Sequence, residues 1–173
     1  MLRAVLLLAL AFATAFGDLL IGGRIGGARQ TGSYDGESSD SKIQYGFGGT
    51  IGYQTDSFRV VGGYEAFSGK GQSEMQLATI GLHAIDAGDP EMRGYLGVDL
   101  GQLNYRHSNK AHLTDSSMNV AGLAVGFILY DSEFPSAQMD LGFRYLRTFG
   151  NDTDKLDVSD LMQIYLGLSF NLW

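Results

Sequence analysis

The stretch "IQYGFGGTIGYQ", residues 43 to 54, alternates between large apolar side chains and small or polar ones. One set of alternate positions carries Ile43, Tyr45, Phe47, Ile51 and Tyr53. The other set carries glycine, glutamine and threonine. A period of two predicts a β-strand whose two faces differ in this way. Repeated glycine weakens a strand and is unusual on a face that meets water, so the small face needs another explanation.

The composition restricts the class of protein. The chain has 173 residues, enough for one domain, with 25 glycines, 2 prolines and no cysteine. The absence of cysteine excludes a disulfide framework and a thiolate metal site. A net charge of −7 argues against nucleic acid as a partner. Past the N-terminus no apolar run of about 20 residues occurs, which disfavours a helical membrane protein.

The N-terminus is typical of an export signal. "MLR" supplies a positive start, "AVLLLALAFATAF" an apolar core, and small residues at Ala13, Ala15 and Gly17 a cleavage site. Residues 1–17 are therefore predicted to be a signal peptide, and residues 18–173 the domain that lies outside the cytoplasm. A retained anchor helix is the alternative.

Eight segments after the signal have a two-residue period, and none has a convincing helical pattern. They cover residues 19–29, 43–54, 58–67, 75–84, 93–105, 119–130, 137–146 and 161–173. The fourth is less regular, since Met75 and Leu77 share one parity while Ile80 and Leu82 share the other. This break predicts a β-bulge near residues 78–79.

The connections alternate in length. Those at 55–57, 86–91 and 131–135 are short, while the others, such as "RHSNKAHLTDSS" at 106–117, are longer or more polar. Short turns on one rim and polar loops on the other are typical of a transmembrane β-barrel. The sequence thus predicts an all-β fold, an eight-stranded antiparallel up-and-down transmembrane β-barrel. A soluble β-sandwich with an aliphatic core is the alternative.

A barrel in lipid explains the small face. The interior of an eight-stranded barrel is just wide enough for side chains to fill, so glycine fits there. The large apolar face then contacts lipid, and closure satisfies every backbone hydrogen-bonding group, as a bilayer requires.

Seven ionisable residues lie on the predicted inner face. They are Arg24, Arg59, Glu65, Arg93, Asp99, Asp140 and Arg144. Buried charges must be paired because an isolated one is costly to desolvate. We therefore expect a charge network that plugs the lumen, with a gate or narrow ion path as the alternative.

The signal peptide, the eight alternating strands and the final strand "YLGLSFNLW" together resemble the small outer-membrane barrels of Gram-negative bacteria, the OmpA/OmpX type. The resemblance implies an outer-membrane location, contact with lipid and lipopolysaccharide, and insertion by the barrel-insertion machinery. That machinery would read the C-terminal signal, which consists of Leu166, Leu168, Phe170, Leu172 and Trp173. Trp173 lies one residue past the last position of the alternating apolar series. Either Leu172 takes the position that a terminal aromatic residue usually has and Trp173 is an additional residue, or the register shifts at the end.

"YRHSN", residues 105–109, is the stretch with most chemistry. Some small barrels of this class are lipid A deacylases, and in their motif one residue separates the His from the following Ser and Asn. In this chain His107 and Ser108 are adjacent. Neighbours on a strand point to opposite faces, so the pair is not expected to cooperate as base and nucleophile. We expect instead that Arg106, His107 and Lys110 lie near lipopolysaccharide phosphates.

No metal site or cofactor is predicted. The carboxylates of "DTDKLDVSD", residues 152–160, lack the glycine and closing glutamate of a calcium loop, and the three histidines have no ligand spacing. The leading hypothesis is a non-catalytic outer-membrane barrel with an envelope-structural or surface-interaction role through four extracellular loops. The alternatives are a narrow channel for small or apolar solutes and a lipid A-modifying enzyme. The oligomeric state does not follow from the sequence.

Overall fold

The computed structural model describes residues 18–34, 37–39, 43–68, 73–109, 112–150 and 156–172. The predicted signal peptide, Lys110 and Trp173 lie outside these residues. No helix within the described ranges is long and apolar enough to span a membrane.

The described residues form nine antiparallel strands. They are β1 (Asp18–Tyr34), β2 (Glu37–Ser39), β3 (Ile43–Gln54), β4 (Phe58–Ser68), β5 (Ser73–Ile85), β6 (Met92–Asn109), β7 (His112–Tyr130), β8 (Ala137–Phe149) and β9 (Leu156–Asn171). Short β2 pairs with the end of β1, in line with β3, so β2 and β3 together form one strand of the wall. Because β9 pairs with β1, the sheet closes on itself. The prediction of an eight-stranded antiparallel barrel is confirmed.

The strands are staggered around the barrel. The register starts at Leu19 of β1, passes once around the wall through Val98 of β6 and Met162 of β9, and returns to β1 at Arg29, ten residues further on. Such a stagger requires the strands to tilt against the barrel axis, and with eight strands it leaves a narrow interior.

The large apolar side chains cover the outside. Phe47 is 72 %, Leu141 48 % and Leu166 41 % exposed, so they do not pack into an enclosed nucleus. They belong to an apolar belt formed by the outward positions of all eight wall strands. This arrangement contradicts the soluble sandwich and fits the lipid-facing band of a transmembrane barrel.

The apolar belt ends at one level on the side of the hairpins β4–β5, β6–β7 and β8–β9, which we call the loop side. On seven strands the next outward residue beyond the belt is polar: Arg29, Ser68, Gln76, Gln102, Asn119, Arg147 and Asp160. The opposite rim, the turn side, carries the connections 55–57, 86–91 and 131–136, the start of β1 and the end of β9. A polar edge at one common height is what a bilayer boundary imposes.

Two details differ from the sequence predictions. The β4–β5 and β5–β6 registers run without interruption, so the bulge predicted near residues 78–79 is wrong. Met75 and Leu77 instead point into the barrel, where both are fully buried. On β5 the apolar residues near the loop side, Met75 and Leu77, point inward, whereas those in the belt, Ile80 and Leu82, point outward. The apolar residues therefore move from odd to even positions along an uninterrupted strand.

The second difference concerns the polar segment 106–117, which was expected to be a long loop. There β6 continues to Asn109 and β7 starts at His112, and the two ends pair with each other. Beyond the apolar belt, backbone hydrogen bonds between the two strands can hold a hairpin together without an alternation of apolar and polar side chains. The sequence pattern therefore does not show that the strands continue there. The hairpin continues seven residues past Gln102, or about 23 Å along the strand.

The barrel interior is layered. An apolar cluster fills the loop-side half and consists of Ala28, Phe67, Met75, Leu77, Leu103, Tyr105, Met118, Val120, Leu146, Val158 and Leu161. A smaller cluster of Ile85, Tyr95, Ala124 and Ile128 lies toward the turn side. The charged residues lie between them, as the chain order shows: Leu146 follows Arg144, and Phe67 follows Glu65, in the direction of the loop side.

Candidate functional site

Six of the seven ionisable residues expected in the lumen are brought together there. Arg24, Arg59, Arg144, Glu65, Asp99 and Asp140 are each at most 6 % exposed. We call these six residues the lumen network.

Glycines make room for this network. Gly48 is the register partner of both Arg24 and Glu65, and Gly167 is the partner of both Arg24 and Asp140. A Cβ atom on Gly48 would meet the Glu65 side chain and the backbone of β4. The small face of "IQYGFGGTIGYQ" is therefore small because long charged side chains occupy the space in front of it.

Arg144 is the centre of the loop-side half of the network. Its Nη2 donates to the Glu65 carboxylate, and its Nε donates to Gln163 Oε1 at 2.5 Å. Its Nη1 lies 3.2 Å from Thr79 Oγ1 and 3.6 Å from Asp99 Oδ2. Gln163 in turn donates to the second oxygen of Glu65. The guanidinium is fully buried, yet it is compensated on every side.

Asp140 is the centre of the turn-side half. Arg59 Nη2 lies 2.9 Å from Asp140 Oδ2, an ion pair rather than an aligned hydrogen bond, and the Tyr95 hydroxyl donates to Asp140 Oδ1 at 2.9 Å. Arg24 joins the two halves, since its guanidinium lies 3.8 Å from both Asp140 and Glu65. The lumen network is thus continuous.

His83 connects Arg59 to Asp99. Arg59 Nε donates to His83 Nδ1 at 3.0 Å, and a guanidinium has no acceptor, so Nδ1 must carry the lone pair. His83 Nε2 therefore carries the proton and donates to Asp99 Oδ1 at 2.8 Å. The contact between His83 and Asp99 is accordingly a hydrogen bond to a neutral imidazole rather than a salt bridge.

Two tyrosines support the network. The Arg59 guanidinium lies 4.0 Å from the centre of the Tyr95 ring, and the Arg24 guanidinium lies 4.4 Å from that of Tyr165. The two hydroxyls meet at 2.6 Å. Cation–π contacts of this kind are strongest where water is excluded.

The network is neutral overall. Three arginines face three carboxylates, and neutral His83 leaves this balance unchanged. Removing one member would therefore leave an uncompensated buried charge. The arrangement fills the cross-section of the barrel with fixed, mutually compensated groups.

Arg93, the seventh residue expected in the network, lies elsewhere. It is the second residue of β6, at the turn-side rim, where its guanidinium lies 3.2 Å from the exposed Asp56 and 5.5 Å from the centre of the Tyr130 ring. A cavity of about 620 Å³ opens at this rim, and its lining includes Arg93, Gln54 and Tyr130. Inside the rim, Gln54 donates to Tyr130 at 2.7 Å and contacts Gln138.

The other predicted residues whose side chains the structure describes lie on the outside of the wall. Leu166, Leu168, Phe170 and Leu172 are 41–48 % exposed along the end of the chain. Arg106 is exposed above the belt, 3.8 Å from Glu74. His107 is a residue of β6 whose side chain is outside the described part, as are Lys110 and Trp173 altogether.

Some functional residues escaped the sequence reasoning. His83, Gln163 and Thr79 belong with the charged layer, and their alternation with outward apolar neighbours places all three on the inner face. The loop-side apolar cluster was also missed, because large apolar residues were assigned to the outer wall alone. Among the described residues, no group of three or more histidine or carboxylate side chains could hold a metal ion.

No protein-family model and no curated protein sequence matches the chain. Solved structures do match. Neisserial surface protein A is 18 % identical, with 89 % of this chain and 97 % of that chain covered, at a TM-score of 0.65. The N-terminal β-barrel domain of OprF from Pseudomonas aeruginosa is 19 % identical, covers 90 % and 99 %, and scores 0.63. Ail, the attachment invasion locus protein of Yersinia pestis, is 16 % identical, covers 90 % and 99 %, and scores 0.52.

The chain therefore has the fold of the small outer-membrane β-barrels, of the OmpA/OmpX type. These neighbours are 16–19 % identical to this chain, so the likeness concerns the fold.

Proposed function

We propose that this protein is a non-conducting and non-catalytic barrel of the outer membrane, which holds surface hairpins on a rigid, closed scaffold. The observation that carries the proposal is the lumen network. It crosses the barrel from Arg144 on β8 to Glu65 on β4, and all six of its charged groups are compensated.

An ion would meet two obstacles in the lumen. The loop-side apolar cluster includes Leu77, Leu103, Leu146 and Leu161, all with no exposed surface. Below it, the network offers no uncompensated charge to a passing ion. Moving an ion through an apolar layer is costly, and displacing a buried paired arginine adds to that cost.

The closed barrel extends past the apolar belt on the loop side. Strands β6 and β7 pair as far as Asn109 and His112, well beyond the polar belt edge at Gln102. We assign this side to the cell exterior, where the hairpins form a surface for other molecules and Arg106 lies near lipopolysaccharide phosphates, together with His107 and Lys110.

The absence of catalysis is part of the proposal. His107 and Ser108 occupy consecutive positions of β6, paired with Thr114 and Leu113. Extended backbone supports the reading that these residues do not act as base and nucleophile.

Export and insertion complete the proposal. Residues 1–17 are removed as a signal peptide, a proposal supported by their positive start, apolar core and small residues at Ala13, Ala15 and Gly17. Strand β9 presents Leu166, Leu168 and Phe170 on its outer face, a pattern that the barrel-insertion machinery can read together with Leu172 and Trp173.

Planar-bilayer recording tests the proposal. Protein that migrates differently in detergent gels before and after boiling is folded, and such protein should give no stepwise conductance in concentrated potassium chloride. Reproducible conductance steps from the folded fraction would overturn the sealed lumen and favour a channel. Mass spectrometry of lipid A from cells with and without the gene should show the same species, and a modified species would favour the enzyme.

A further inference from the structure

A recess of about 320 Å³ lies on the outside of the wall, across β5, β6 and β7. The outward side chains around it are those of Glu74, Gln76, Asn104, Arg106 and Ser117. Tyr105 and Ser116, whose side chains are buried, complete its floor. A volume of this size is at the lower end of the range for small-molecule sites, so the recess fits a small polar group.

Three hydrogen-bonding side chains form a row in this recess. Gln76 of β5 pairs in register with Asn104 of β6, which pairs in turn with Ser117 of β7. Neighbouring strands lie about 4.8 Å apart, so the row is about 10 Å long. Gln102, at the belt edge, donates to Ser117 Oγ at 2.8 Å and holds this end of the row. The amides of Gln76 and Asn104 are exposed, and each offers two N–H donors and an acceptor oxygen.

The charges at the recess are of opposite sign. Arg106 Nη1 lies 3.8 Å from Glu74 Oε2, one position further toward the loop side than the row on each outward face. Recognition in this recess therefore does not depend on a net charge. Two amides and a hydroxyl suit a ligand rich in hydroxyl groups, because a hydroxyl both donates and accepts.

The recess begins where the apolar belt ends. Gln76 and Gln102 are the first polar outward residues beyond the belt on β5 and β6, and Asn104 lies two residues further, or about 7 Å along the strand. Strands β6 and β7 continue past this level as far as Asn109 and His112, so the wall extends beside a large head group. In a bilayer leaflet this level is the head-group layer.

The interfacial aromatic side chains lie on other strands. Tyr45 of β3, Tyr64 of β4 and Tyr145 of β8 are exposed in the loop-side half of the belt, where barrels usually carry an aromatic girdle. Among the described residues, the outward positions of β5, β6 and β7 near this edge have no aromatic side chain, and Ala78 and Ala121 are small. The recess is therefore open to the head groups of neighbouring lipids.

We propose that this recess binds a sugar ring of an outer-leaflet glycolipid. The amides of Gln76 and Asn104 form hydrogen bonds with the uncharged hydroxyls of the sugar, while the acyl chains of the lipid lie against the apolar belt. The inference rests on the proposed outer-membrane location with the loop side outward, and it names the part of the lipid that the wall recognises.

Native mass spectrometry of the folded protein, in a detergent that contains no sugar, tests the site. The two probes are monoglucosyl diacylglycerol and diacylglycerol, which differ only in the sugar. The wild type should bind the glucosyl lipid about 10-fold more tightly than diacylglycerol. Gln76→Ala/Asn104→Ala should lose about this 10-fold preference, because it removes the hydrogen bonds to the sugar.

Two further measurements serve as controls. Thr31→Ala/Arg147→Ala removes two exposed polar side chains beyond the belt on β1 and β8, and it should bind both probes as the wild type does. All four substituted side chains are exposed, so both double variants should remain heat-modifiable. In nitrogen NMR of the wild type, the side-chain amide signals of Gln76 and Asn104 should shift with the glucosyl lipid and not with diacylglycerol.

Equal binding of the two probes by the wild type would overturn the site, as would an unchanged preference in Gln76→Ala/Asn104→Ala. Displacement of the glucosyl lipid by phosphatidic acid, which has a phosphate and no sugar, would also overturn it, since a phosphate would then be the preferred ligand. None of these results bears on the sealed lumen, which the conductance measurement tests separately.

Discussion

Arg144 and Glu65 form an ion pair between β8 and β4, which lie diametrically opposite in the barrel. Three strands separate them in either direction around the wall. The pair therefore connects opposite walls directly, which backbone hydrogen bonds between neighbouring strands cannot do.

Breaking this pair should destabilise the barrel strongly. Glu65→Gln would leave Arg144 and Arg24 without their shared carboxylate, and the expected loss is about 3–5 kcal/mol of unfolding free energy. The double variant Glu65→Gln/Arg144→Met restores charge balance, so its loss should be smaller than the sum of the two single losses. Urea unfolding in lipid vesicles measures the stability of Glu65→Gln, of Arg144→Met and of the double variant. Strictly additive losses would contradict the pairing.

Arg93→Gln is the matched control for this experiment. Its guanidinium pairs at the rim with Asp56, whose side chain is 95 % exposed. Exposed pairs contribute about 0–1 kcal/mol, so this variant should unfold nearly as the wild type does. A loss as large as that of Glu65→Gln would place Arg93 among the network residues after all.

His83 should be neutral, with its proton on Nε2. The reason is that Arg59 Nε can only donate to Nδ1, and Nε2 then serves Asp99. Nitrogen NMR of the imidazole in the folded protein distinguishes this tautomer from the Nδ1–H form and from imidazolium. Protonation of both nitrogens at neutral pH would require the network to carry an extra positive charge and would contradict the arrangement.

The apolar belt should reject charge according to depth. Leu141 lies in the middle of the outward row of β8, between Met139 and Phe143, so Leu141→Arg should cost about 2–4 kcal/mol of stability in vesicles. Gln102→Arg at the belt edge should cost about 0–1 kcal/mol. The same urea assay measures both, and equal costs would mean that the belt does not contact hydrocarbon.

Inward and outward glycines should differ in tolerance. A Cβ on Gly122 of β7 would meet the Tyr145 carbonyl oxygen and the backbone at Leu146, so Gly122→Ala should reduce the fraction of heat-modifiable, folded protein. Gly94→Ala should leave that fraction unchanged, since its Cβ would meet nothing within 4 Å. Normal folding of Gly122→Ala would show that the space inside the barrel is wider than described.

The sequence by itself determines the strand pattern of this protein. A period of two is a local property of extended backbone, so the alternation around Phe47 and Leu141 was enough to predict eight strands and the face that meets lipid. The inward parity of Arg24, Glu65 and Arg144 followed from the same alternation.

What only the closed barrel decided is which inward residues meet. Partners such as Arg144 and Glu65 are far apart in the chain and on opposite walls, and their contact depends on the stagger of all eight strands. The tertiary structure also placed Arg93 at the turn-side rim. The alternation of residues along β6 predicts that Arg93 points inward, but it does not predict how far along the barrel axis the residue lies. The tertiary structure also showed that Met75 and Leu77 lie inside the barrel. Alternation along a strand predicts which residues share a face, but whether that face is apolar or charged at a given depth depends on the side chains of the opposite strands.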